Sequence, residues 1–257
     1  MFPAPLAFGP INITFYGLMV ALGVAAALAL LSLTAPKRGV NPQLARDFCF
    51  WMILAGLIGS RLAYVIFHWY EFSSPLEILA YWRGGLMFQG GVLGALILSP
   101  VFLKRYHLNF WPTADALAPS LALGQAFGRI GCLGAGCCFG RPLSPDNPLA
   151  ITFPEFSLAP SGIPLWPVQA IEAGGLFIIA LGLILAIRSP VRSLKSSGRV
   201  AALYLFCAGT LRLFMELFLR GDFRGEAIWP GLPPTTLTAI GTAALGLFVW
   251  RIRKPGK

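Results

Sequence analysis

The chain alternates long apolar runs with short polar loops, and this alternation predicts its architecture. Seven of the runs are long enough for a helix to cross a hydrocarbon layer, which requires about 20 residues. Because backbone polar groups cannot stay unpaired in lipid, each run is predicted to be helical, and the fold class is all-α. The seven predicted spans cover residues 13–35, 48–69, 86–103, 113–131, 168–187, 200–219 and 235–251.

The fourth predicted span is the least apolar of the seven. It carries the charged residues Asp115 and Arg129, and it is retained because the loops on its two sides require opposite faces of the membrane. The spans make residues 1–257 a single integral membrane domain. The longest connection, 132–167, is rich in Pro and Gly and is predicted to form a small periplasmic cap with little regular structure.

Basic residues in the loops predict the orientation, because cytoplasmic loops carry an excess of Lys and Arg. Thirteen of the twenty basic residues fall on one face when seven spans are counted. They follow the odd-numbered spans, at Lys37, Arg38, Arg46, Lys104, Arg105, Arg188, Arg192, Lys195, Arg199, Arg251, Arg253, Lys254 and Lys257. The N-terminus is therefore predicted to face outward and the C-terminus to face the cytoplasm. The residues before the first span lack the basic start of a cleavable signal, so this span is expected to remain in the membrane.

The remaining basic residues are arginines that lie within a predicted span or at its outer end. A charge at the centre of a bilayer costs about 2.5–3.5 kcal/mol even on a lenient scale. Three intramembrane arginines (61, 129 and 212) accompany Glu172 and Glu216, which implies internal partners or an anionic ligand. Structural ion pairs are the alternative, and Arg212 and Glu216 have the spacing for one; the excess of arginine favours the ligand. The arginines are Arg61, Arg83, Arg129, Arg141, Arg212, Arg220 and Arg224.

Composition agrees with a membrane protein. The chain is 56% hydrophobic and 12% charged, whereas an ordinary soluble domain is roughly a quarter charged, and its mean hydropathy is +0.72. The net charge of +10 would indicate a nucleic-acid partner in a soluble protein, but here the basic residues flank spans, so none is expected. Five cysteines without a CxxC pair and only two histidines argue against a metal site, and no cofactor is expected.

The stretch Gly124–Pro142 is the strongest candidate for a functional site. It contains Arg129, Arg141 and six glycines, and no serine–histidine–acid or phosphate-loop pattern competes with it elsewhere in the chain. Arginine offers phosphate a two-pronged set of donors and keeps its charge, so a lipid phosphate of the outer leaflet is the expected anion. The cysteines of this stretch are predicted to pack as small hydrophobic residues; they are Cys132, Cys137 and Cys138.

The signature GRIGCLGAGCCFGRP at 128–142 resembles that of the bacterial prolipoprotein diacylglyceryl transferases. Five further motifs of that family are similar to segments of this chain and occur in the same order. They are FYGLMVALG at 15–23, GSRLAYVIF at 59–67, WRGGLMFQGGVLGA at 82–95, WPVQAIEA at 166–173 and GTLRLFMELFLRGD at 209–222.

The resemblance implies an enzyme of the bacterial inner membrane that acts as a monomer. It would transfer a diacylglyceryl group from phosphatidylglycerol to the lipobox cysteine thiol in the signal peptide of a prolipoprotein. The implied catalytic residues are Arg129 and Arg212, which clamp the phosphate, and Gln89. The implied substrate-binding residues are Tyr16, Arg61, Gly90, Gly91, Gly131, Gly140, Arg141, Glu172 and Glu216.

Gln89 marks a departure from the family pattern, which has histidine in the corresponding Phe-His-Gly-Gly segment. A glutamine amide can orient a thiol or a phosphate oxygen, but it does not take up a proton near neutral pH. Three outcomes stay open at this point: transfer that depends on arginine electrostatics, transfer with another donor or acceptor, and binding or movement of anionic phospholipid without transfer. A generic transporter is disfavoured because the two halves show no repeat.

Overall fold

A computed structural model describes residues 6–8, 11–72, 74–79, 84–222 and 232–253, and these residues are mainly helical. Four of the basic residues discussed above, Arg83, Arg224, Lys254 and Lys257, lie outside the described residues. The helices are α1 (Phe15–Thr34), α2 (Pro42–Phe67), α3 (Phe88–Arg105), α4 (Phe110–Ala135), α5 (Val168–Arg188), α6 (Arg192–Lys195), α7 (Arg199–Phe214) and α8 (Pro234–Ile252). A π-helical turn (Met215–Leu219) continues α7, and 3-10 turns lie at Pro36–Arg38, Trp69–Glu71 and Pro75–Leu79.

A short antiparallel hairpin precedes α1 and is the one departure of the named elements from an all-helical chain. Its strands are β1 (Leu6–Phe8) and β2 (Ile11–Ile13), with Leu6 paired to Ile13. Directly after it, the Thr14 hydroxyl accepts a hydrogen bond from the Gly17 amide at 3.0 Å and caps α1. A threonine cap satisfies an amide that has no partner within the helix.

Five of the described helices are long and apolar enough to cross a membrane: α1, α2, α5, α7 with its π turn, and α8. The chain is therefore a multi-pass membrane protein. Helices α3 and α4 occupy two further intervals in which the hydrophobic pattern predicts spans. Helix α4 contains Asp115, Gln125 and Arg129, which lower its hydropathy. Each of the three side chains has a polar partner inside the fold.

Helix packing runs from α3 through α2 and α1 to α4, which also contacts α5 and α7, and α7 packs on α8. Small residues allow the closest crossings, as expected between membrane helices. A Cβ atom at Gly59 of α2 would lie 2.5 Å from the Gly90 carbonyl oxygen of α3. A Cβ at Gly246 of α8 would overlap the Phe206 amide nitrogen of α7. Substituting either glycine would force the paired backbones apart.

Asp115 of α4 caps the first turn of α7 from a fully buried position. Its Oδ2 accepts from the Gly198 amide at 2.8 Å and its Oδ1 from the Ala201 amide at 2.8 Å. Arg38 lies 3.7 Å away and donates to the Leu194 carbonyl at 2.9 Å; burial lowers the pKa of Arg38, and the Asp115 carboxylate opposes this effect. One carboxylate thus joins α4, α7 and the connection after α1.

Replacing Asp115 with alanine is expected to lower the free energy of unfolding by about 2 kcal/mol, because two amides of α7 lose their acceptor. The thermal unfolding midpoint of the detergent-solubilised protein measures this effect. Asp146→Ala, in the exposed part of the connection after α4, is the matched control. Equal midpoints for the two variants would contradict a capping role for Asp115.

The connection between α4 and α5 contains isolated bridges and a small apolar cluster of its own. Ile151 and Leu165 form an antiparallel bridge, with the Leu165 amide donating to the Ile151 carbonyl at 2.9 Å. Phe153, Ala159 and Leu165 are buried together beside Leu133 and Phe139. The sequence predicted little regular structure here, and among the described residues between α4 and α5 the structure has isolated bridges but no named helix or strand.

Candidate active site

Glu172 is the centre of a buried charge cluster that joins three parts of the chain. Its Oε2 lies 3.1 Å from Arg129 Nε of α4 and 3.0 Å from Arg220 Nη2 after the π turn. Its Oε1 lies 3.1 Å from Arg212 Nη1 of α7. Paired, hydrogen-bonded ions are the form in which charge is tolerated in an apolar interior, so one glutamate of α5 holds three guanidinium groups in place.

Glu216 supplies the second carboxylate of this arginine cluster. Its Oε1 lies 2.7 Å from Arg212 Nη2 and 3.3 Å from Arg220 Nε, both at a four-residue spacing. The Thr235 hydroxyl of α8 donates to Glu216 Oε2 at 3.1 Å. Arg212 and Arg220 therefore each bridge both glutamates, and both side chains are restrained from two directions.

The members of the cluster differ in their exposure. The side chains of Glu172, Glu216 and Arg220 are between 3% and 5% exposed, whereas those of Arg129 and Arg212 are each 20% exposed. Asp222 lies 3.5 Å from Arg220 Nη1, so three carboxylates accompany the three arginines. The positive charge that is most accessible lies at Arg129 and Arg212, and an accessible guanidinium group attracts anions.

A π-helical turn sets the position of Arg220. Over Met215–Leu219 the helix widens, and the Arg220 amide donates to the Met215 carbonyl at 3.0 Å, five residues earlier. Arg220 itself then adopts an extended backbone. Such wide turns occur mostly as single insertions in α-helices, frequently at functional sites. Here the wide turn places Arg220 in contact with Glu172 and Glu216 at the point where the helix ends.

The end of the Gly124–Pro142 stretch holds this helix terminus in place. Gly140 and Arg220 form an antiparallel bridge, and the Arg141 amide donates to the Leu219 carbonyl at 2.8 Å. Arg141 Nε also donates to the Arg220 carbonyl at 2.8 Å. A Cβ at Gly140 would lie 2.5 Å from the Trp166 carbonyl oxygen, so no larger residue fits between the bridge and the start of α5.

Tyr16 and Gly131 lie together where α1 crosses α4. A Cβ at Gly131 would lie 3.1 Å from the Tyr16 ring, so glycine allows the ring to pack against the helix that carries Arg129. Tyr16 is 44% exposed. The ring is thus partly accessible and packs on α4 two residues after Arg129.

Arg61 is held by a different set of partners from those of the arginine cluster. Its guanidinium donates to the carbonyls of Glu77 and Ile78 at 2.8 Å and of Gly84 and Gly85 at 2.7 and 3.0 Å. These contacts tie α2 to the loop before α3. The sequence grouped Arg61 with Glu172 and Glu216, and in the structure Arg220 has that position in the cluster.

Gln89 lies in the first turn of α3, with an exposed side chain. The two glycines that follow it pack against α2: a Cβ at Gly90 would lie 2.5 Å from the Gly59 carbonyl oxygen, and one at Gly91 would lie 3.1 Å from the Gly56 carbonyl oxygen. Among the described contacts, none joins Gln89 to the arginine cluster. The glycines thus fix the position of the α3 start against α2.

The structure brings four predicted site residues into mutual contact: Arg129, Glu172, Arg212 and Glu216. Arg220 was not predicted as a site residue, although its spacing of four from Glu216 and eight from Arg212 is a helical-face signal. Thr235 was not predicted either, because a single threonine near the start of a span is not part of a recognisable sequence pattern.

The fold and this cluster define a multi-pass membrane protein with a largely buried arginine–carboxylate cluster in which two arginines are partly accessible. The family model described as prolipoprotein diacylglyceryl transferase matches residues 3–252. The chain belongs to that family.

Relatives from several bacteria align with this chain over most of their length. A phosphatidylglycerol–prolipoprotein diacylglyceryl transferase of Clostridium tetani is 34% identical over 237 residues, which cover 92% of each chain. One of the same name from Azoarcus is 34% identical over 242 residues, covering 92% of this chain and 88% of the relative. Another, from Bordetella parapertussis, is 31% identical over 262 residues, covering 99% of this chain and 97% of the relative.

Proposed function

We propose that this protein transfers the diacylglyceryl group of phosphatidylglycerol to the lipobox cysteine thiol of a prolipoprotein. The carrying observation is the arginine cluster, in which two guanidinium groups remain accessible while the glutamates that hold them are buried. Family membership supports the same reaction. The substrates are a phospholipid and the signal peptide of a precursor protein, and no cofactor enters the reaction.

The reaction replaces a carbon–oxygen bond with a carbon–sulfur bond. The thiol loses its proton to water, its sulfur attacks the terminal glyceryl carbon, and the bond from that carbon to the phosphate oxygen breaks. The leaving glycerol phosphate is a monoester, so it carries more negative charge than the diester from which it came. Donors fixed where this charge develops lower the barrier without reorganising during the reaction.

Arg129 and Arg212 are the groups that we assign to the phosphate. Each side chain is 20% exposed, while Arg129 Nε and Arg212 Nη1 are held by Glu172 and Arg212 Nη2 is held by Glu216. Glu216 and Arg220 act as positioning residues, because Glu216 contacts Arg212, Arg220 contacts both glutamates, and both side chains are buried. A clamp held on both sides loses little side-chain entropy when the lipid binds.

The other predicted residues surround this clamp in the proposal. Tyr16, packed on Gly131, borders the lipid beside Arg129. Gly140 and Arg141 hold the Arg220 segment against the start of α5. Arg61, Gly90 and Gly91 fix the start of α3, from which Gln89 orients the thiol or a phosphate oxygen.

The proposed topology has seven spans, with α3 and α4 added to the five most apolar helices. The N-terminus faces the periplasm and the C-terminus the cytoplasm, in accordance with the basic residues after α1, α3 and α5. Residues 132–167 form the periplasmic cap, and the arginine cluster opens near the outer leaflet of the inner membrane. The protein works as a monomer with one membrane domain.

A lipidation assay with the full chain in vesicles tests the proposed function. A lipobox peptide incubated with phosphatidylglycerol vesicles should gain the mass of one diacylglyceryl group through a thioether. A peptide with serine in place of the lipobox cysteine, and vesicles of phosphatidylcholine alone, are the controls. No product, together with product from a relative that has histidine at the position of Gln89, would refute the transfer. Retained phosphatidylglycerol without product would instead support the lipid-binding alternative.

Gln89→His is expected to raise the rate of transfer by about 10-fold or more, because a positioned base contributes about 10²–10⁴-fold. The gain should grow as the pH rises through the ordinary pKa range of histidine, where the imidazole becomes neutral. Initial rates between pH 5 and 8, at the reference histidine pKa of about 6.5, measure it. Gln89→Asn is the control, and equal rates for both variants would show that this position does not contact the thiol.

A further inference from the structure

Three cysteine sulfurs converge at the end of α4. The Sγ atoms of Cys132, Cys137 and Cys138 all lie within 4.8 Å of one another. The backbone explains this convergence. Gly136 ends α4 in the left-handed region (φ 71°), its amide donates to carbonyls of the last turn, and the Cys137 amide donates to the Cys132 carbonyl at 3.2 Å. The chain thereby folds two cysteines back over the turn that holds the third.

The returning segment is fixed from both sides. Gln169 Nε2 of α5 donates to the Cys137 carbonyl at 2.8 Å, and the Gly221 amide donates to the Phe139 carbonyl at 3.2 Å. Between these contacts Cys138 has φ 62°, a conformation that residues other than glycine seldom adopt. Backbone of this kind persists where the surroundings over-determine it, often at ligand clamps. The sulfur positions are thus consequences of tertiary contacts rather than of local preference.

The donor set selects the class of ligand. Thiolates are soft donors that bind Cu(I) and zinc in preference to hard cations. Structural zinc takes four protein ligands in a tetrahedron, whereas the group contains three sulfurs. A disulfide would use two sulfurs and leave the third, and all three cysteines are thiols in the structure. Three convergent sulfurs match the trigonal coordination that Cu(I) readily adopts.

We propose that Cys132, Cys137 and Cys138 form a trigonal thiolate site for a soft monovalent metal ion, Cu(I). Metal binding displaces the thiol protons, which pass to water, and the metal does not change its oxidation state. Cys132 is buried and the other two are partly exposed, so the site has an open side for the ion. This function is separate from lipid transfer and rests on different residues.

The site lies beside the arginine cluster on the same helix. Cys132 follows Arg129 by three residues, so both side chains point to one face of α4. Three thiolates around one Cu(I) leave a net negative charge, which a neighbouring guanidinium stabilises. The position also explains why three thiols occur here rather than scattered through the apolar helices, as Cys49 and Cys207 are.

Anaerobic titration of the full-length reduced protein in detergent micelles with Cu(I) tests the proposal. A Cu(I)-specific chelator of known affinity serves as competitor. We expect a single Cu(I) ion per chain, held against the chelator, with sulfur-to-copper charge-transfer absorption in the ultraviolet. Cys137→Ser and Cys138→Ser should each weaken binding by at least about 10-fold, because each removes a direct ligand.

Two controls separate the site from thiols in general. Cys49→Ser with Cys207→Ser removes the cysteines outside the cluster and should leave the affinity unchanged. The thermal unfolding midpoint of each single variant shows whether it is folded, so a loss of binding in a folded variant identifies a ligand. Binding that survives in both Cys137→Ser and Cys138→Ser would overturn the proposal. Failure of the reduced protein to compete with the chelator would also overturn it. So would isolation of the protein, without added reductant, with two of the cluster cysteines joined as a disulfide.

Discussion

Replacing Arg212 with alanine is expected to lower kcat/KM for diacylglyceryl transfer by about 10³-fold, equivalent to roughly 4 kcal/mol of transition-state stabilisation. Arg212 is the one arginine that contacts both glutamates and is also accessible: its Nη1 lies 3.1 Å from Glu172 and its Nη2 2.7 Å from Glu216. Because the phosphate gains charge as the ester bond breaks, the loss should fall mainly on kcat. Initial rates of peptide lipidation over a range of phosphatidylglycerol fractions measure both constants.

Two further variants serve as controls for the Arg212→Ala result. Arg212→Lys keeps the charge but lacks the planar two-pronged donor set, so its activity should lie between those of the parent and Arg212→Ala. Arg188→Ala removes an exposed arginine at the far end of α5 and should leave transfer unchanged. If Arg212→Ala retained more than about a tenth of the parental rate, the accessible arginines would not be the phosphate clamp.

Replacing Glu172 with alanine is expected to lower the free energy of unfolding by about 3–5 kcal/mol, because it breaks a buried ion-pair network by removing one of its anions. Arg129, Arg212 and Arg220 all contact this carboxylate, and Arg220 is almost fully buried. Removing one anion therefore takes a carboxylate partner from three cations at once, and Glu216 still contacts only two of them. The thermal unfolding midpoint and the yield of monodisperse protein in detergent measure the loss.

Glu172→Gln separates charge from shape at the same position. The amide retains the size of the side chain and one acceptor, so a midpoint close to that of Glu172→Ala would show that the charge is what stabilises the cluster. Glu155→Ala, an exposed position in the cap, controls for the loss of any acidic residue. An unchanged midpoint for Glu172→Ala would contradict the central role of this carboxylate.

Hydrophobic patterning predicted the helices closely, because a bilayer leaves a long apolar run no other way to satisfy its backbone. The predicted intervals 168–187 and 235–251 correspond to α5 (Val168–Arg188) and α8 (Pro234–Ile252). The hairpin before α1 was not predicted. Its strands are three residues each, too short for an alternating pattern to be distinguishable from a loop.

Charge within spans indicated that charged residues meet inside the fold, but it did not predict the full membership of the arginine cluster. Unpaired charge in lipid is costly enough to make Arg129, Arg212 and Glu172 informative by themselves. The choice between Arg61 and Arg220 depended on the loop before α3 and on the π turn, which are set by tertiary contacts. The same holds for the cysteines, since the convergence of their sulfurs follows from the left-handed turn at Gly136.

The π turn at Met215–Leu219 also constrains the length of the chain between Arg212 and Arg220. Each residue of an α-helix rotates the direction of its side chain by about 100°. Deleting one residue from the regular helix between Arg212 and Met215 would therefore rotate Arg220 away from Glu172, even if every charged residue were kept. The spacing of this segment is therefore as restricted as its composition, whereas the exposed part of the cap around Asp146 can change length without moving the cluster.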